Sequence, residues 1–246
     1  INNTQVALAP WFATASTTPE AVFPNEDIFE AVAPYYPIQF SPPPNDIHGI
    51  TREKLHKALL SVLTFTTVDP GVLKFHGPTM LTLSADLFLE SLLPSPENDN
   101  PGPLDKLEAV ECLSSLFFPD AKARVVDLLE TRTIVSLSQA LKVTHDEASL
   151  GVAQGGQMGN ENKRLADQCR TLVSRLAFEL EQSPKKELWD IFVRQTVSNL
   201  SSKLSTAPAT GKTSIAYMAC LTSSGGSRTL RECLTMGLQP LLDFME

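Results

Sequence analysis

Clustered basic residues are missing from this 246-residue chain, which carries a formal net charge of −8. Direct binding to nucleic acid needs Lys and Arg gathered on one surface, so that counterions are released from the phosphates. Long apolar runs are missing as well, and none approaches the roughly 20 residues that a membrane-spanning helix needs. We therefore expect no direct nucleic-acid binding and no insertion into a membrane.

Paired cysteines are also absent. The chain has four cysteines, which lie far apart in helical patterns and form no Cys-x-x-Cys motif: Cys112, Cys169, Cys220 and Cys233. Such cysteines are typical of reduced, packed thiols, which predicts a location in the cytoplasm and nucleus. The opening Ile1-Asn2-Asn3-Thr4 has no initiator Met and no signal-peptide pattern, so we expect a piece of a longer protein.

Motifs that carry catalysis are scarce. The four histidines have no metal-ligand spacing: His48, His56, His76 and His145. His48 lies near Asp46, which we interpret as a turn. The segment Gly211-Lys212-Thr213 resembles the end of a phosphate-binding loop, but Thr206 stands where the first glycine is needed. The sequence thus predicts no enzyme, no catalytic residue, no metal site and no cofactor.

What the chain does contain is a succession of amphipathic helices. Leu165, Cys169, Leu172 and Leu176 recur at helical spacing, and Trp189, Val193 and Val197 do so in the next segment. We predict helices over 26–33, 51–62, 79–93, 104–117, 119–143 with a break near 131–133, 160–181, 183–204, 211–222 and 227–246. Loops are predicted at 94–103 and 151–159, where prolines or glycines accumulate.

Grouped in pairs, these helices start near residues 52, 104, 161 and 209. HEAT and armadillo units repeat at about 40–47 residues, so pairs with expanded loops fit that architecture. The predicted fold class is therefore all-α, a HEAT/armadillo-like α-solenoid of antiparallel helix pairs. Residues 1–50 would hold short helices and a proline-rich segment, and residues 51–246 one continuous solenoid. A single irregular all-α domain is the alternative.

One segment interrupts the helical pattern. Residues 35–50, Tyr-Tyr-Pro-Ile-Gln-Phe-Ser-Pro-Pro-Pro-Asn-Asp-Ile-His-Gly-Ile, are called the strap below. Proline fixes φ and removes amide donors, so the strap is predicted to be stiff and non-helical. Two interpretations remain open: the strap packs between helices as a structural lock, or it displays residues to a partner. The candidate residues are Phe40, Pro42, Pro43, Pro44, Asn45 and Asp46.

The strap also carries a family resemblance. An acidic-aliphatic segment, Asp27-Ile28-Phe29-Glu30-Ala31-Val32, leads into it, and Thr-Arg-Glu-Lys-Leu follows. This stretch resembles the N-terminal region of the methyl-methanesulfonate-sensitivity DNA repair and transcription protein family. The match is strong over residues 28–60 and fainter from Leu89 to Leu116, and it departs from the family pattern at Ile47, where proline is usual.

The resemblance implies a function. Members of this family are non-catalytic HEAT-repeat scaffolds that deliver iron–sulfur clusters to apo-proteins of DNA replication, repair and transcription. Their partners are an iron–sulfur assembly complex, with a WD-repeat propeller and a small carrier protein, and the apo iron–sulfur client enzymes. The alternative is an unrelated HEAT-repeat adaptor of the transport or phosphatase-scaffold type.

Overall fold

The computed structural model describes residues 25–38, 40, 49–68, 77–93, 101–119, 124–206, 219 and 226–245. All regular structure within these ranges is helical. The α-helices there are α1 (Asn25–Val32), α2 (Arg52–Val68), α3 (Gly77–Glu90), α4 (Pro103–Phe117), α5 (Thr131–Gly151), α6 (Gly156–Gln182), α7 (Lys186–Thr206) and α8 (Ser227–Met245). Short 3-10 helices occupy Ala33–Tyr35, Val125–Leu128 and Val152–Gln154.

The helices stack in two layers. Each helix from α2 to α6 contacts the second helix after it, so α2, α4, α6 and α8 form one layer and α3, α5 and α7 the other. Helices also pack across the layers, most extensively α5 with α6 and α7 with α8. This succession of neighbour-only contacts is typical of a solenoid. The predicted all-α, solenoid-type fold is confirmed.

The grouping of helices into pairs differs from the prediction by one helix. The closest pairs are α3 with α4, α5 with α6, and α7 with α8, which begin at Gly77, Thr131 and Lys186. Pairs starting near 52, 104 and 161 are therefore wrong. The spacing of these starts is about 55 residues. Each helix of a stack has an apolar face toward both neighbours, so the sequence alone does not show which neighbour completes the pair.

The predicted loop over residues 151–159 is also wrong, because most of it is helical. Helix α5 runs through Gly151, and α6 begins at Gly156. The reversal is concentrated at Gly155 and Gly156, whose φ angles of 70° and 61° lie in the left-handed region. Glycine adopts that region without a steric cost. Two glycines thus make the turn, and the others are accommodated in helices.

Helix starts follow the local sequence. Thr51 precedes α2, and its Oγ1 accepts a hydrogen bond from the amide of Lys54 at 3.2 Å, as expected of an N-cap. Before α4, the amide of Gly102 donates to Asp105 Oδ2 at 3.3 Å, and Pro103 occupies the first helical position. The predicted break near Thr131 is confirmed, since α5 begins there after a short 3-10 helix.

One continuous hydrophobic core connects α1 to α8. The predicted stripes of α6 and α7 are buried, and Trp189 is completely so. In α8, Leu230 and Leu234 recur at helical spacing but are exposed by 41% and 51%, whereas Thr229 and Cys233 are buried. A leucine repeat on an end helix shows an apolar face without showing that another helix covers it.

Polar contacts hold α8 at its first turn. The carboxylate of Glu181, at the end of α6, accepts hydrogen bonds from the amides of Arg228 and Thr229 at 3.1 and 3.0 Å. The Thr229 hydroxyl donates to Glu181 at 2.7 Å and accepts from Trp189 Nε1 at 3.0 Å. Partial burial tends to raise the pKa of Glu181, but these hydrogen bonds lower it overall. Glu181 thus provides the N-terminal cap of a helix distant in sequence.

The described helices include none with the length and apolarity that crossing a membrane would require.

Candidate functional site at the N-terminal strap

The first part of the strap is anchored in the core. Tyr36 and Ile38 are buried, with 7% and 4% of their surface exposed, and Phe40 is half-buried against the same core. Residues 36, 38 and 40 thus share one environment, the hydrophobic core. The Tyr36 ring meets the Phe88 ring of α3 edge-on, with 5.1 Å between centroids. The neighbouring Tyr35 is 60% exposed.

The far end of the strap is tied to α2. Lys54 Nζ donates a hydrogen bond to the carbonyl of Gly49 at 2.6 Å, and Gly49 has a left-handed φ of 57°. Pro42, Pro43, Pro44, Asn45 and Asp46 lie outside the described residues, as does His48. For the described residues at both ends, the packing agrees with the interpretation as a structural lock. The partner-display interpretation of residues 42–46 stays a prediction.

An ion-pair cluster lies at the same end of the molecule and joins α2 to α4. Arg52, in the first turn of α2, pairs with Asp105 and with Glu108, whose Oε2 lies 2.9 Å from Nη2. Asp105 and Glu108 are three residues apart, so they share one face of α4. The cluster therefore fixes α2, the helix that follows the strap, against its neighbour α4 in the same layer of the stack.

In the same cluster, a cysteine, a histidine and a carboxylate lie side by side in space, with the histidine in the middle. His56 Nε2 lies 3.4 Å from Cys112 Sγ, and His56 Nδ1 lies 3.6 Å from Glu108 Oε2. A nucleophile, a base and an orienting acid have this order in cysteine-dependent enzymes. No sequence pattern indicates this arrangement, because 56 residues separate His56 from Cys112.

The environment of this array opposes catalysis. Cys112 is only 1% exposed, and its burial raises the pKa of the thiol far above the ordinary value. Burial also lowers the pKa of His56, and Glu108 only partly opposes this effect. A reactive cysteine needs a lowered pKa and access to substrate, so Cys112 does not have the properties of a nucleophile. We interpret the array as a buried contact between α2 and α4.

No group of three or more potential metal ligands is present among the residues that the structure describes. His145, on α5, is completely buried, and its Nε2 lies 3.4 Å from the Ser149 hydroxyl. Burial lowers the pKa of His145, although Asp146 acts in the opposite direction. His76 and the segment Ala209–Ser214 lie outside the described ranges. The geometry of the described part is that of a helical stack with a packed strap, which is the class of an α-solenoid.

Comparison with known proteins finds a family similarity in the N-terminal part of the chain. Residues 12–68 match the family model described as "Dos2-interacting transcription regulator of RNA-Pol-II". The chain is similar to the MMS19 nucleotide excision repair protein homolog of Danio rerio, with 58% identity over 41 residues, which cover 17% of this chain and 4% of the relative. The Homo sapiens homolog is 54% identical over 56 residues, or 23% of this chain and 5% of the relative.

Residues 12–68 are thus similar to the MMS19 family, and the resemblance predicted from the strap is confirmed. The matched stretch spans only 4–5% of the length of these curated relatives. No solved structure matches the chain. The matched residues include α1, the strap and α2, so the family signature coincides with the segment anchored by Tyr36 and Arg52.

Proposed function

We propose that this chain is part of a non-catalytic, HEAT-like protein scaffold of the cytoplasm and nucleus. The scaffold delivers iron–sulfur clusters to apo-proteins of DNA replication, repair and transcription. The observation that carries this proposal is the MMS19-family match over residues 12–68, which include a strap packed into a stack of helices. Curated relatives bear the name of a nucleotide excision repair protein homolog, which is consistent with DNA repair enzymes as clients.

The physical properties of the chain support a binding role. A stack of helices presents a long surface with few mobile parts, which suits the simultaneous binding of several proteins. The net charge of −8 favours association with basic partners, and enzymes that act on nucleic acids carry basic surfaces. The Cys112 array beneath the strap is buried and protonated, so it adds no reactive group to this surface.

The proposed partners are an iron–sulfur assembly complex, with a WD-repeat propeller and a small carrier protein, and apo iron–sulfur enzymes. The purified protein is immobilised and incubated with the propeller or with an apo iron–sulfur DNA helicase. A helicase of similar charge that has no cluster serves as the control. We expect the propeller and the apo helicase to be retained and the control to be washed away. Loss of both partners from a protein that is folded by circular dichroism would refute the proposal.

An unrelated HEAT adaptor of the transport or phosphatase-scaffold type is the second candidate. It is favoured by one observation, that the family model ends at residue 68 while α3 to α8 lie beyond it. The same retention experiment separates the two candidates. An unrelated adaptor would retain neither the propeller nor the apo helicase.

A further inference from the structure

A cleft of about 440 Å³ lies on the surface formed by α4, α5 and α6. We call it the α4–α6 cleft, and its lining includes Lys106, Thr144, Glu147, Met158, Asn162 and Leu165. Its volume falls within the range of roughly 300–1,000 Å³ that is usual for ligand pockets. It is distinct from the strap and from the Cys112 array, because it shares no lining residue with either.

One hydroxyl in this lining has an unusual environment. Thr144 is completely buried, and its Oγ1 has no hydrogen-bond partner within the described part of the chain. Buried hydroxyls in folded proteins are almost always hydrogen-bonded, because an unpaired one loses its interaction with water. The unpaired hydroxyl of Thr144 therefore lowers the stability of the fold, and a bound hydrogen-bond acceptor would remove this loss. Nearby Asn162 is also buried, with 7% exposed, and adds an amide group to the lining.

A buried ammonium group lines the cleft as well. The Lys106 side chain is 6% exposed, and its Nζ donates to Glu147 Oε2 at 2.6 Å. Lysine has three donors, and Glu147 is its one hydrogen-bond partner among the described residues. Glu147 already balances the charge of Lys106, so the cleft has donors to offer without a net positive charge. This combination favours neutral acceptors, such as peptide carbonyls, over phosphate or free carboxylate.

Apolar groups stand beside these donors. Leu165 is buried, whereas Met158 is 46% exposed although it lines the cleft. Leu150 and Val152, at the end of α5 and just after it, are exposed by 52% and 39%. These two residues flank Gly151, which belongs to the lining of the cleft. An apolar side chain of a ligand would pack against Leu165 and Met158.

From this juxtaposition we propose that the α4–α6 cleft binds an extended peptide segment of a partner protein. One apolar side chain of the segment enters the cleft, and its backbone carbonyls accept hydrogen bonds from Lys106, Thr144 and Asn162. A peptide supplies neutral acceptors and an apolar group a few ångströms apart, which complement the donors and the apolar residues of the lining. The inference rests on the proposed scaffold function, because it assigns a docking site for the proteins that a scaffold binds.

The first test uses a phage-displayed library of random 16-residue peptides, selected against the purified protein. A selected peptide is then synthesised, and its affinity is measured by fluorescence anisotropy. Thr144→Val keeps the shape of the side chain and removes the hydroxyl. We expect it to weaken peptide binding roughly five- to tenfold, the effect of one buried hydrogen bond. The melting temperature without peptide should stay equal or rise, since an unpaired polar atom is removed. Unchanged peptide affinity in Thr144→Val would overturn the proposal.

A matched pair of surface variants locates the site. Met158→Glu places a charge on the rim of the cleft. Phe178→Glu places the same charge elsewhere on α6, about 30 Å from Met158 along the helix. The two side chains are similarly exposed, at 46% and 44%. We expect Met158→Glu to abolish binding and Phe178→Glu to leave it within twofold. Equal binding by both variants would overturn the proposal.

The outcome for the cleft can be separated from that for the scaffold function. If Met158→Glu leaves peptide binding intact but the protein still retains an apo iron–sulfur helicase, the cleft proposal fails and the scaffold function stands. If selected peptides bind in a Thr144- and Met158-dependent way but no helicase is retained, the cleft is a peptide site and the proposed clients are wrong. Selections that enrich no peptide over a Met158→Glu counter-selection would refute the cleft proposal.

Discussion

Replacement of Tyr36 by alanine should detach the strap from the core. Tyr36 is 7% exposed, and its ring makes an edge-on contact with Phe88 at 5.1 Å between centroids. Truncation of a buried aromatic side chain to alanine costs about 3–5 kcal/mol, and we expect about 3 kcal/mol because the strap can relax locally. For a chain of this size, that loss lowers the melting temperature by roughly 6–12 °C.

The adjacent tyrosine provides a matched control. Tyr35 is 60% exposed, so Tyr35→Ala should change the free energy of unfolding by no more than about 0.5 kcal/mol. Both variants are measured by urea denaturation followed by circular dichroism at 222 nm. Tyr36→Phe keeps the ring and should retain most of the stability. A loss below about 1 kcal/mol in Tyr36→Ala, or equal losses in both tyrosine variants, would refute the interpretation of the strap as a lock.

Three further predictions concern other buried groups. Thr229→Val leaves the buried Trp189 N–H without its acceptor, so we expect a loss of about 2–3 kcal/mol in urea denaturation. Thr235→Val, an exposed change on the same helix, should cost less than about 0.5 kcal/mol, and similar losses would contradict the argument. Burial lowers the pKa of His145, so the unfolded chain binds more protons below about pH 6.5, and stability is lost as the pH falls from there. The drop in melting temperature between pH 7.5 and 5.5 should be smaller in His145→Gln; identical drops would count against this. Because Cys112 is buried and its thiol protonated, N-ethylmaleimide should label it only after denaturation, and mass spectrometry showing rapid native labelling would contradict its burial.

Helix positions and inward faces were predictable because they depend on local spacing. The pattern Leu165, Cys169, Leu172 and Leu176 specifies one side of α6, and the structure buries all four. The N-cap at Thr51 was predictable for the same reason, since its hydrogen bond reaches only three residues along the chain.

Contacts between distant residues were not predictable from one sequence. Glu181 caps α8 through the amides of Arg228 and Thr229, which lie 47 and 48 positions further along the chain. No local pattern indicates which carboxylate reaches a given helix start. The pairing of His56 with Cys112 is hidden in the same way. Lys106 would be expected at the surface from its charge, yet its side chain is buried in the α4–α6 cleft beside Glu147.

The strap was the most informative part of the sequence. Its prolines predicted a non-helical segment, and its aromatic residues supported the family resemblance that the comparisons confirm. Its role in the fold needed the structure, because the same aromatic residues would suit either a packed segment or a displayed one. Tyr36 and Ile38 are buried whereas Tyr35 is exposed, which agrees with a packed role for this part of the strap.

The proposed function is the delivery of iron–sulfur clusters to enzymes that act on DNA. It is tested most directly by the iron content of an iron–sulfur DNA helicase purified from cells that lack this protein and from cells in which it is restored. The account predicts that the helicase from the deficient cells contains markedly less iron and that restoration returns the iron content to normal. Equal iron content in the two preparations would contradict the account.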